Sequence, residues 1–246
     1  MAMQLDGNVA LVTGSAKRIG RSIALGLARA GADVMVHYNR SEADARRTAD
    51  EIKTLGRRAG LVQGELADAR TPSKLVDETV GQLGRLDILI NNASIFEPMP
   101  LEGLELGAWD RMLRINLTAP ALLARAAWEQ FKAHGAGKIV NLTDIIAERP
   151  WHEYIAYSIS KAGLVALTKA LARAMAPTVQ VNAVSPGVSL WPEDFTDQQK
   201  AAILTRVPMG RAADPDEVAA AVLFLVTGSS YITGEVLNAD GGRSVV

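Results

Sequence analysis

The sequence predicts an α/β fold made of one doubly wound domain, in which a seven-stranded parallel sheet carries helices on both faces. Short apolar runs alternate with longer amphipathic runs over the 246 residues, as in successive βαβ units. A glycine-rich turn follows the first apolar run, which is typical of the Rossmann-type form of this fold. No Pro/Ser-rich linker, repeat or low-complexity stretch divides the chain, so we assign residues 1–246 to a single domain.

The strands are assigned to seven short runs that are apolar or rich in β-branched residues. Such runs, bounded by turn residues, indicate parallel strands that are buried on both faces. They are Val9–Val12, Asp33–His37, Ala59–Gln63, Leu86–Ile90, Lys138–Leu142, Val179–Val184 and Glu235–Asn238.

The helices are assigned to the amphipathic runs between these strands, several of which have recognisable start and stop residues. Gly31 follows the first helix, Ser41 is the predicted N-cap of the second with Gly56 after it, and Thr71-Pro72 opens the third. Pro120 predicts a bend in the long fourth helix. The remaining bounds are Ile19–Ala30 for the first helix, about Leu55 for the end of the second, and then Trp109–Ala133, Ile155–Ala176 and Pro215–Val226.

Composition and charge exclude several classes of function. The chain is 48% apolar with a net charge of -1, so it can bury a core, and no basic excess indicates nucleic acid or an anionic membrane. It has no cysteine, and His37, His134 and His152 lack metal-ligand spacing. No signal-like pattern opens the chain, and its longest apolar stretch, Ala219–Val226, is too short to cross a bilayer. We therefore expect a cytoplasmic protein without a bound metal.

The segment Thr13–Gly20 joins the first strand to the first helix and is the predicted phosphate-binding turn. Gly14 and Gly20 allow a tight turn in which the backbone approaches a phosphate, while the helix N-terminus supplies free N–H groups. Arg18 stands where a middle glycine is common, and we expect its guanidinium over the phosphates or at the mouth of the site. The alternative is an arginine that faces solvent.

The end of the second strand, His37-Tyr38-Asn39-Arg40-Ser41, predicts which dinucleotide binds. An NAD site usually has an acidic residue here to accept from the ribose hydroxyls, and this segment has none. His37, Arg40 and Ser41 are expected instead to bind the 2′-phosphate of NADPH. The alternative is that His37 and Arg40 are only exposed loop residues.

Tyr157, Lys161 and Asp144 form the predicted acid–base group. Four residues separate Tyr157 from Lys161, so both lie on one face of a helix. The ammonium should lower the pKa of the Tyr157 phenol from about 10 toward neutral pH, and Asp144 adds a carboxyl group upstream. The alternative is an ordinary pair on a helix surface, but the pair follows a strand-like run and opens an apolar helix, which favours catalysis.

Several motifs in a fixed order resemble the short-chain dehydrogenase/reductase family over about residues 5–242. These motifs are Thr13-Gly14 with Gly20, Asn91-Asn92-Ala93, Asn116, Tyr157-x-x-x-Lys161 and Ser185-Pro186-Gly187. Further features are similar to one branch, the pteridine reductases and the related dihydromonapterin/dihydrofolate reductases. They are the Lys17–Gly20 turn, the segments 37–41 and 92–96, Asp144 in place of the usual serine, and Pro186–Ser189. Glu65, in place of a more usual aspartate, departs from the family pattern.

The resemblance implies hydride transfer from C4 of a nicotinamide to a C=N bond of a pterin. Asp144 is then the candidate proton donor or relay beside Tyr157, Lys161 holds the nicotinamide ribose, and Asn116 supports a water near the lysine. The implied contacts of NADPH are Gly14, Arg18, Ile19, Gly20, His37, Tyr38, Asn39, Arg40, Ser41, Glu65, Leu66, Asn92, Ala93, Ser94, Tyr157, Lys161, Pro186, Gly187 and Ser189.

The substrate is expected to lie between the nicotinamide and an aromatic side chain. Phe96 follows the fourth strand, where its ring can stack on a flat heterocycle; the alternative is ordinary loop packing. The full set of implied substrate contacts is Arg18, Ser94, Phe96, Asp144, Tyr157, Val188 and Trp191.

Three wider expectations complete the analysis. Residues 185–205, after the sixth strand, are predicted to form a flap over the substrate; the alternative is a plain surface loop. The family resemblance implies a homotetramer that pairs the helices over 109–133 and 155–176, unless both only cover the sheet. Two other functions stay open: a general carbonyl or 3-ketoacyl reductase of the same family, and a non-catalytic NADP(H)-sensing module.

Overall fold

The computed structural model of the protein describes residues 5–191 and 195–246 and contains one seven-stranded sheet, as the sequence predicts. All strand pairs are parallel, in the order β3-β2-β1-β4-β5-β6-β7. The strands are β1 Val9–Val12, β2 Asp33–Tyr38, β3 Ala59–Gln63, β4 Ile88–Asn91, β5 Gly137–Leu142, β6 Val179–Pro186 and β7 Val236–Ala239.

Helices cover both faces of this sheet. One apolar layer joins the sheet to α1, α2 and α8, and the other joins it to α3, α5 and α6. The helices are α1 Arg18–Arg29, α2 Glu42–Thr54, α3 Thr71–Leu83, α4 Leu106–Leu113, α5 Ala119–His134, α6 Ile155–Met175, α7 Asp197–Leu204 and α8 Pro215–Thr227.

The strand order reverses at β1, which pairs with β2 on one side and with β4 on the other. Chain segments that leave the carboxyl ends of β1 and β4 therefore diverge to opposite faces of the sheet and leave a crevice between them, where open α/β sheets bind ligands. The predicted phosphate turn follows β1, and the 92–96 segment follows β4. The topology thus brings these two motifs to one edge.

The predicted long helix over 109–133 is broken in the structure. A π-helical turn over Arg114–Thr118 separates α4 from α5, so the interruption begins before Pro120. Pro120 lacks an N–H and cannot donate to the carbonyl oxygen of Asn116 four residues earlier, which interrupts regular α-helical bonding at this turn. The site residue Asn116 therefore lies on an irregular turn.

Two other segments differ from the sequence prediction. Ser41 precedes α2 as predicted, but its side chain makes no capping hydrogen bond. The predicted flap over 185–205 contains the helix α7, which starts with a capping box between Thr196 and Gln199 that the sequence analysis missed. Residues 192–194 of this flap lie outside the described residues.

The helix α6 is the one described helix that is long and apolar enough, by length and composition, to cross a membrane. In this protein it packs against β6 and buries Tyr157 and Lys161 on its inner face. Its apolar character is that of a core helix of the α/β domain.

Candidate active site

A cavity of about 490 Å³ opens at the carboxyl edge of the sheet. It is bordered by the phosphate turn, the ends of β5 and β6, the start of α6 and the C-terminal segment. A neighbouring cavity of about 330 Å³ extends past β2 and β3 and shares Arg18, Ile19, Asn92 and Ser94 with the first. Together they form a cleft that continues from the phosphate turn to the acid–base group.

Close packing and hydrogen bonds fix the conformation of the phosphate turn. Gly14 has φ 64°, and a side-chain carbon at Gly20 would lie 2.3 Å from the Gly14 carbonyl oxygen, so neither position accepts a larger residue without strain. The Asn92 amide donates to the carbonyl oxygens of Thr13 and Gly14 at 2.8 and 3.1 Å, which ties the turn to the end of β4.

Arg18 is the only non-glycine residue with positive φ in the described part of the chain, at 58°. This left-handed conformation explains why a glycine is common at this position, and for arginine it costs on the order of 1 kcal/mol. The side chain is exposed and borders both cavities, as expected. Strain kept at a cleft position is consistent with the predicted role in ligand binding.

His37 is buried and does not face the cleft as a free cation. Its Nδ1 accepts from the Gly14 N–H at 3.0 Å, so Nε2 carries the proton and donates to the Gly64 carbonyl oxygen at 3.1 Å. Burial lowers the pKa of His37 to about 4, so the ring is neutral at physiological pH. The prediction that His37 binds the 2′-phosphate is therefore wrong, because both ring nitrogens are used within the fold.

The remaining residues predicted at the adenosine end occupy different positions. Asn39 donates to the Glu65 carboxylate at 2.8 Å, and both border the smaller cavity. Tyr38 packs against the core beside the sheet. Arg40 is exposed and Ser41 half-buried just after β2, outside the cavity lining among the described residues. Binding of a 2′-phosphate by Arg40 and Ser41 stays a prediction.

Tyr157 and Asp144 form a direct hydrogen bond in the lining of the larger cavity. The Tyr157 hydroxyl donates to Asp144 Oδ2 at 2.9 Å, and the Ile146 N–H donates to Oδ1 at 2.9 Å. Lys161 donates to the Leu142 carbonyl oxygen at 2.8 Å, and its Nζ lies 5.5 Å from the centre of the Tyr157 ring. Asp144 follows the end of β5, whereas Tyr157 and Lys161 lie on α6. The packing of α6 on the sheet therefore brings the three side chains together.

The pKa values of this group differ in part from the sequence prediction. Burial raises the pKa of Asp144 despite opposing effects of the Ile146 N–H and the Lys161 charge, as predicted. Burial and the neighbouring Asp144 raise the pKa of Tyr157 well above its ordinary value. Burial also lowers the pKa of Lys161 to about 8. The prediction of a lowered Tyr157 pKa is wrong in the free protein, because burial of the phenol and then the neighbouring Asp144 both disfavour the phenolate.

Asn116 holds the segment after β4 in place. Its side chain accepts from the Ile95 N–H at 3.0 Å and donates to the Ile95 carbonyl oxygen at 3.0 Å and to Ser160 Oγ at 3.1 Å. The Ser94 hydroxyl also donates to Asn116 Oδ1, at 3.2 Å. Asn116 thereby positions Ser94 at the junction of the two cavities, and its predicted support of a water stays a prediction.

Phe96 borders the larger cavity and is 38% exposed. Tyr154 stacks on its ring with centroids 4.2 Å apart, and Tyr157 contacts it edge to face at 4.7 Å. Trp151 continues this aromatic wall from Tyr154 at 5.8 Å. Tyr154 and Trp151 were missed in the sequence analysis because they lie in the irregular segment before α6, where no periodic pattern marks them.

The segment after β6 lies on the opposite side of the cavity. A side-chain carbon at Gly187 would lie 2.8 Å from Asp240 Cα, so only glycine fits between β6 and the C-terminal segment. Ser189 Oγ is buried and has no hydrogen-bond partner among the described residues. Val188 and Trp191 border the same cavity, as expected for residues that contact a substrate.

These features fit a nicotinamide dinucleotide. The N-terminus of α1 has no side-chain cap and no acidic residue in its first turn, so its N–H groups can bind an anion. The unpartnered Ser189 hydroxyl adds a buried polar group on the facing wall. A phosphate at the N-terminus of α1 and a polar group of the ligand beside Ser189 would supply hydrogen-bond partners at both places.

Comparisons with known proteins agree with this fold and site. A family model described as enoyl-(acyl carrier protein) reductase matches residues 14–244. The chain is 36% identical to a 3-oxoacyl-[acyl-carrier-protein] reductase of Synechocystis over 97% of each chain, and 36% identical to the short-chain dehydrogenase/reductase FrzI of Cladobotryum over 96% of each. A solved structure of a short-chain alcohol dehydrogenase from Sinorhizobium meliloti 1021 matches with a TM-score of 0.94, at 31% identity and 98% coverage of both chains.

The family model and the relatives cover almost the whole chain, and the expected tyrosine and lysine lie together on α6 beside a dinucleotide-type cleft. Members of this family are oxidoreductases that use nicotinamide cofactors. The chain belongs to the short-chain dehydrogenase/reductase family.

Proposed function

We propose that the protein is an NADPH-dependent reductase of a C=N bond in a flat nitrogen heterocycle of the dihydropterin or dihydrofolate kind. The observation that carries this proposal is the Asp144 carboxyl group, which is hydrogen-bonded to the Tyr157 hydroxyl in the lining of the larger cavity. Reduction of an imine adds a hydride to carbon and a proton to nitrogen, and a carboxylic acid with a raised pKa can supply that proton.

The cofactor proposal depends on the residues at the phosphate turn and the rim. The N-terminus of α1 and Arg18 would hold the diphosphate, Arg40 and Ser41 the 2′-phosphate, and Lys161 the nicotinamide ribose. When bound, NADPH supplies the hydride from C4 of its nicotinamide. The absence of an acidic residue between positions 37 and 41 supports NADPH over NADH.

The proton is proposed to leave the Asp144 carboxyl group. As its O–H bond breaks, a new N–H bond forms on the substrate, and the resulting carboxylate keeps two donors, the Ile146 N–H and the Tyr157 hydroxyl. These donors stabilise the charge that develops on Asp144. Tyr157 stays protonated in this step because its pKa is raised, and solvent restores the proton on Asp144 after turnover. Phe96 supports a flat substrate beside this pair.

A second candidate is reduction of a 3-oxoacyl thioester, the activity named for the similar protein of Synechocystis. In that reaction the proton goes to a carbonyl oxygen, and the Tyr157 hydroxyl is the proposed donor. Asp144 counts against this function, since the carboxyl group holds the Tyr157 proton in a hydrogen bond and raises the phenol pKa. The two candidates therefore differ in which side chain gives the proton.

One assay separates these candidates. NADPH oxidation is measured with dihydrobiopterin, dihydrofolate, a quinonoid dihydropterin and acetoacetyl-CoA at matched concentrations. Turnover of a dihydropterin, inhibited competitively by an antifolate of the methotrexate type, would support C=N reduction. Turnover of acetoacetyl-CoA alone, insensitive to the antifolate, would contradict it and leave the 3-oxoacyl function.

A further inference from the structure

Arg243 belongs to the C-terminal segment and is carried into the cavity by a tight turn. The Asp240 carboxylate accepts from the Gly242 N–H at 2.9 Å and from the Ser244 N–H at 2.7 Å, and Gly242 has φ 84°. This turn, which is possible for glycine at low cost, directs Arg243 inward. The residue is only 8% exposed and borders the same cavity as Asp144 and Tyr157.

The Arg243 guanidinium stacks at the end of the aromatic wall. Its Cζ lies 5.0 Å from the centre of the Trp151 ring, and Trp151 contacts Tyr154, which stacks on Phe96. Over residues 5–191 and 195–246, no side-chain or backbone oxygen accepts a hydrogen bond from the guanidinium, and no carboxylate forms an ion pair with it. The flat group is thus oriented by an aromatic face while its N–H donors stay unused.

A buried cation without a hydrogen-bonding partner is costly, and guanidinium cannot lose its proton at physiological pH. The charges of Asp144 and Asp240 favour the Arg243 cation without contacting it, but the described cavity lining holds three cations, Arg18, Lys161 and Arg243, and one acid, Asp144. In the proposed reaction Asp144 starts as a neutral acid, so it gives no full counter-charge. The cavity is therefore electrostatically suited to an anion.

Nearby arginines behave differently from Arg243. Arg149 is exposed and donates to the backbone carbonyl oxygen of Val246, and Arg206 is exposed as well. Neither borders the cavity. Among these three arginines, Arg243 is the one that borders the cavity of the acid–base pair.

We infer that Arg243 is a specificity residue that binds an anionic group, a carboxylate or a phosphate, on the side chain of the heterocyclic substrate. This inference deepens the proposed function and rests on it. The heterocycle would lie against Phe96 and Asp144, and the anionic side chain would follow the aromatic wall to the guanidinium, whose planar fork matches both anions. The favoured substrate is thus a dihydropterin that carries a charged tail, rather than one with a neutral tail.

The test compares neutral and charged ligands in the NADP⁺-bound protein, so that binding is measured without turnover. Dissociation constants are determined for 7,8-dihydroneopterin, its monophosphate and dihydrofolate by calorimetry. The variants are Arg243→Gln, which removes the charge, Arg243→Lys, which keeps the charge and loses the fork, and Arg149→Gln, which removes a nearby charge outside the cavity. Thermal unfolding of each variant shows whether it is folded.

We expect wild-type protein to prefer at least one charged ligand over the neutral one by roughly tenfold or more, the scale of one charge-assisted hydrogen bond. Arg243→Gln should abolish this preference and leave the neutral ligand and NADP⁺ unaffected, Arg243→Lys should keep part of it, and Arg149→Gln all of it. The phosphate and the carboxylate ligands show which anion is preferred. A preference that survives in Arg243→Gln, or an equal loss of NADP⁺ binding, would overturn the inference.

Failure of the proposed function gives a different result. If no dihydropterin binds to the wild type, C=N reduction of pterins is wrong, and the same comparison is made between acetoacetyl-CoA and the uncharged ester ethyl acetoacetate. Loss of the preference for the charged thioester in Arg243→Gln would still support anion binding by Arg243. No preference for the anion in either ligand series would overturn the inference.

Discussion

Replacement of Asp144 is the perturbation that tests the proposed chemistry most directly. Asp144→Ser introduces the hydroxyl that most family members carry, and Asp144→Asn keeps the size and one acceptor oxygen but removes the acid. Both side chains can still accept the Ile146 N–H bond that Asp144 accepts at 2.9 Å. Because burial raises the pKa of Asp144, its ionisation in the folded protein costs free energy, so neither variant should unfold at neutral pH.

The expected loss follows from the hydrogen bonds of the pair. A positioned general acid contributes roughly 10²- to 10⁴-fold to a rate. The Tyr157 hydroxyl, 2.9 Å from Asp144, stays in the cavity as a weaker donor, so part of this factor should be kept and the loss can be smaller than the full range. Turnover of a dihydropterin should fall by roughly tenfold or more in both variants, about 1.4 kcal/mol or more of transition-state stabilisation. The dissociation constant of NADPH should not change, because Asp144 is not among its proposed contacts.

The pH dependence gives a second readout. The acid form of Asp144 is needed, so wild-type turnover should fall as the pH rises through the raised pKa of the folded protein. This decline should be absent in Asp144→Asn, which has no proton to lose. The assay is kcat for dihydrobiopterin against pH, with acetoacetyl-CoA as the comparison substrate. Unchanged dihydropterin turnover in Asp144→Ser, with an unchanged pH profile, would refute the proposed proton donor.

Three further predictions concern the other walls of the cleft. Phe96→Ala should weaken dihydropterin binding by about 1–3 kcal/mol, the scale of one lost aromatic contact, as measured by calorimetry; an unaltered dissociation constant would discard the stacking model. Arg40→Asp should raise the KM for NADPH more than that for NADH, and equal changes would remove Arg40 from the 2′-phosphate site. The pKa of His37 is about 4 in the folded protein and 6.5 in the unfolded chain, so the unfolded state binds more protons between pH 4 and pH 6.5. The free energy of unfolding should therefore fall by roughly 3 kcal/mol as the pH drops through this window. Urea denaturation at pH 7 and pH 4.5 checks this, and His37→Gln should show a smaller difference than the wild type; an equal difference would mean that another group is responsible.

Much of the fold follows from local patterns in the sequence. The buried runs from Val9–Val12 to Val179–Val184 form strands at or within a few residues of their predicted bounds, because a parallel sheet covered on both faces requires continuous apolar segments. The alternation of these runs with helices allows little besides a doubly wound sheet. Gly14, Gly20 and the pair on α6 were recognisable because their spacing serves local geometry, a tight turn and a shared helix face.

The chemical state of the cleft depended on contacts between segments that are distant in the sequence. His37 lies on a strand buried on both sides, so no alternation showed that its ring would join Gly14 to Gly64 instead of facing a phosphate. The pKa of Tyr157 is raised first by burial and then by the Asp144 carboxyl group, and neither effect can be read from the spacing of Tyr157 and Lys161.

The sequence by itself determined the sheet, the position of the cleft and the residue types available there. Only the tertiary structure decided which donors are already used, as in His37, and which stay unused, as in Arg243. The physical reason is that burial and hydrogen bonding act through space: a side chain's pKa and free donors depend on neighbours that strands β2, β5 and the C-terminal turn bring together, whatever their separation along the chain.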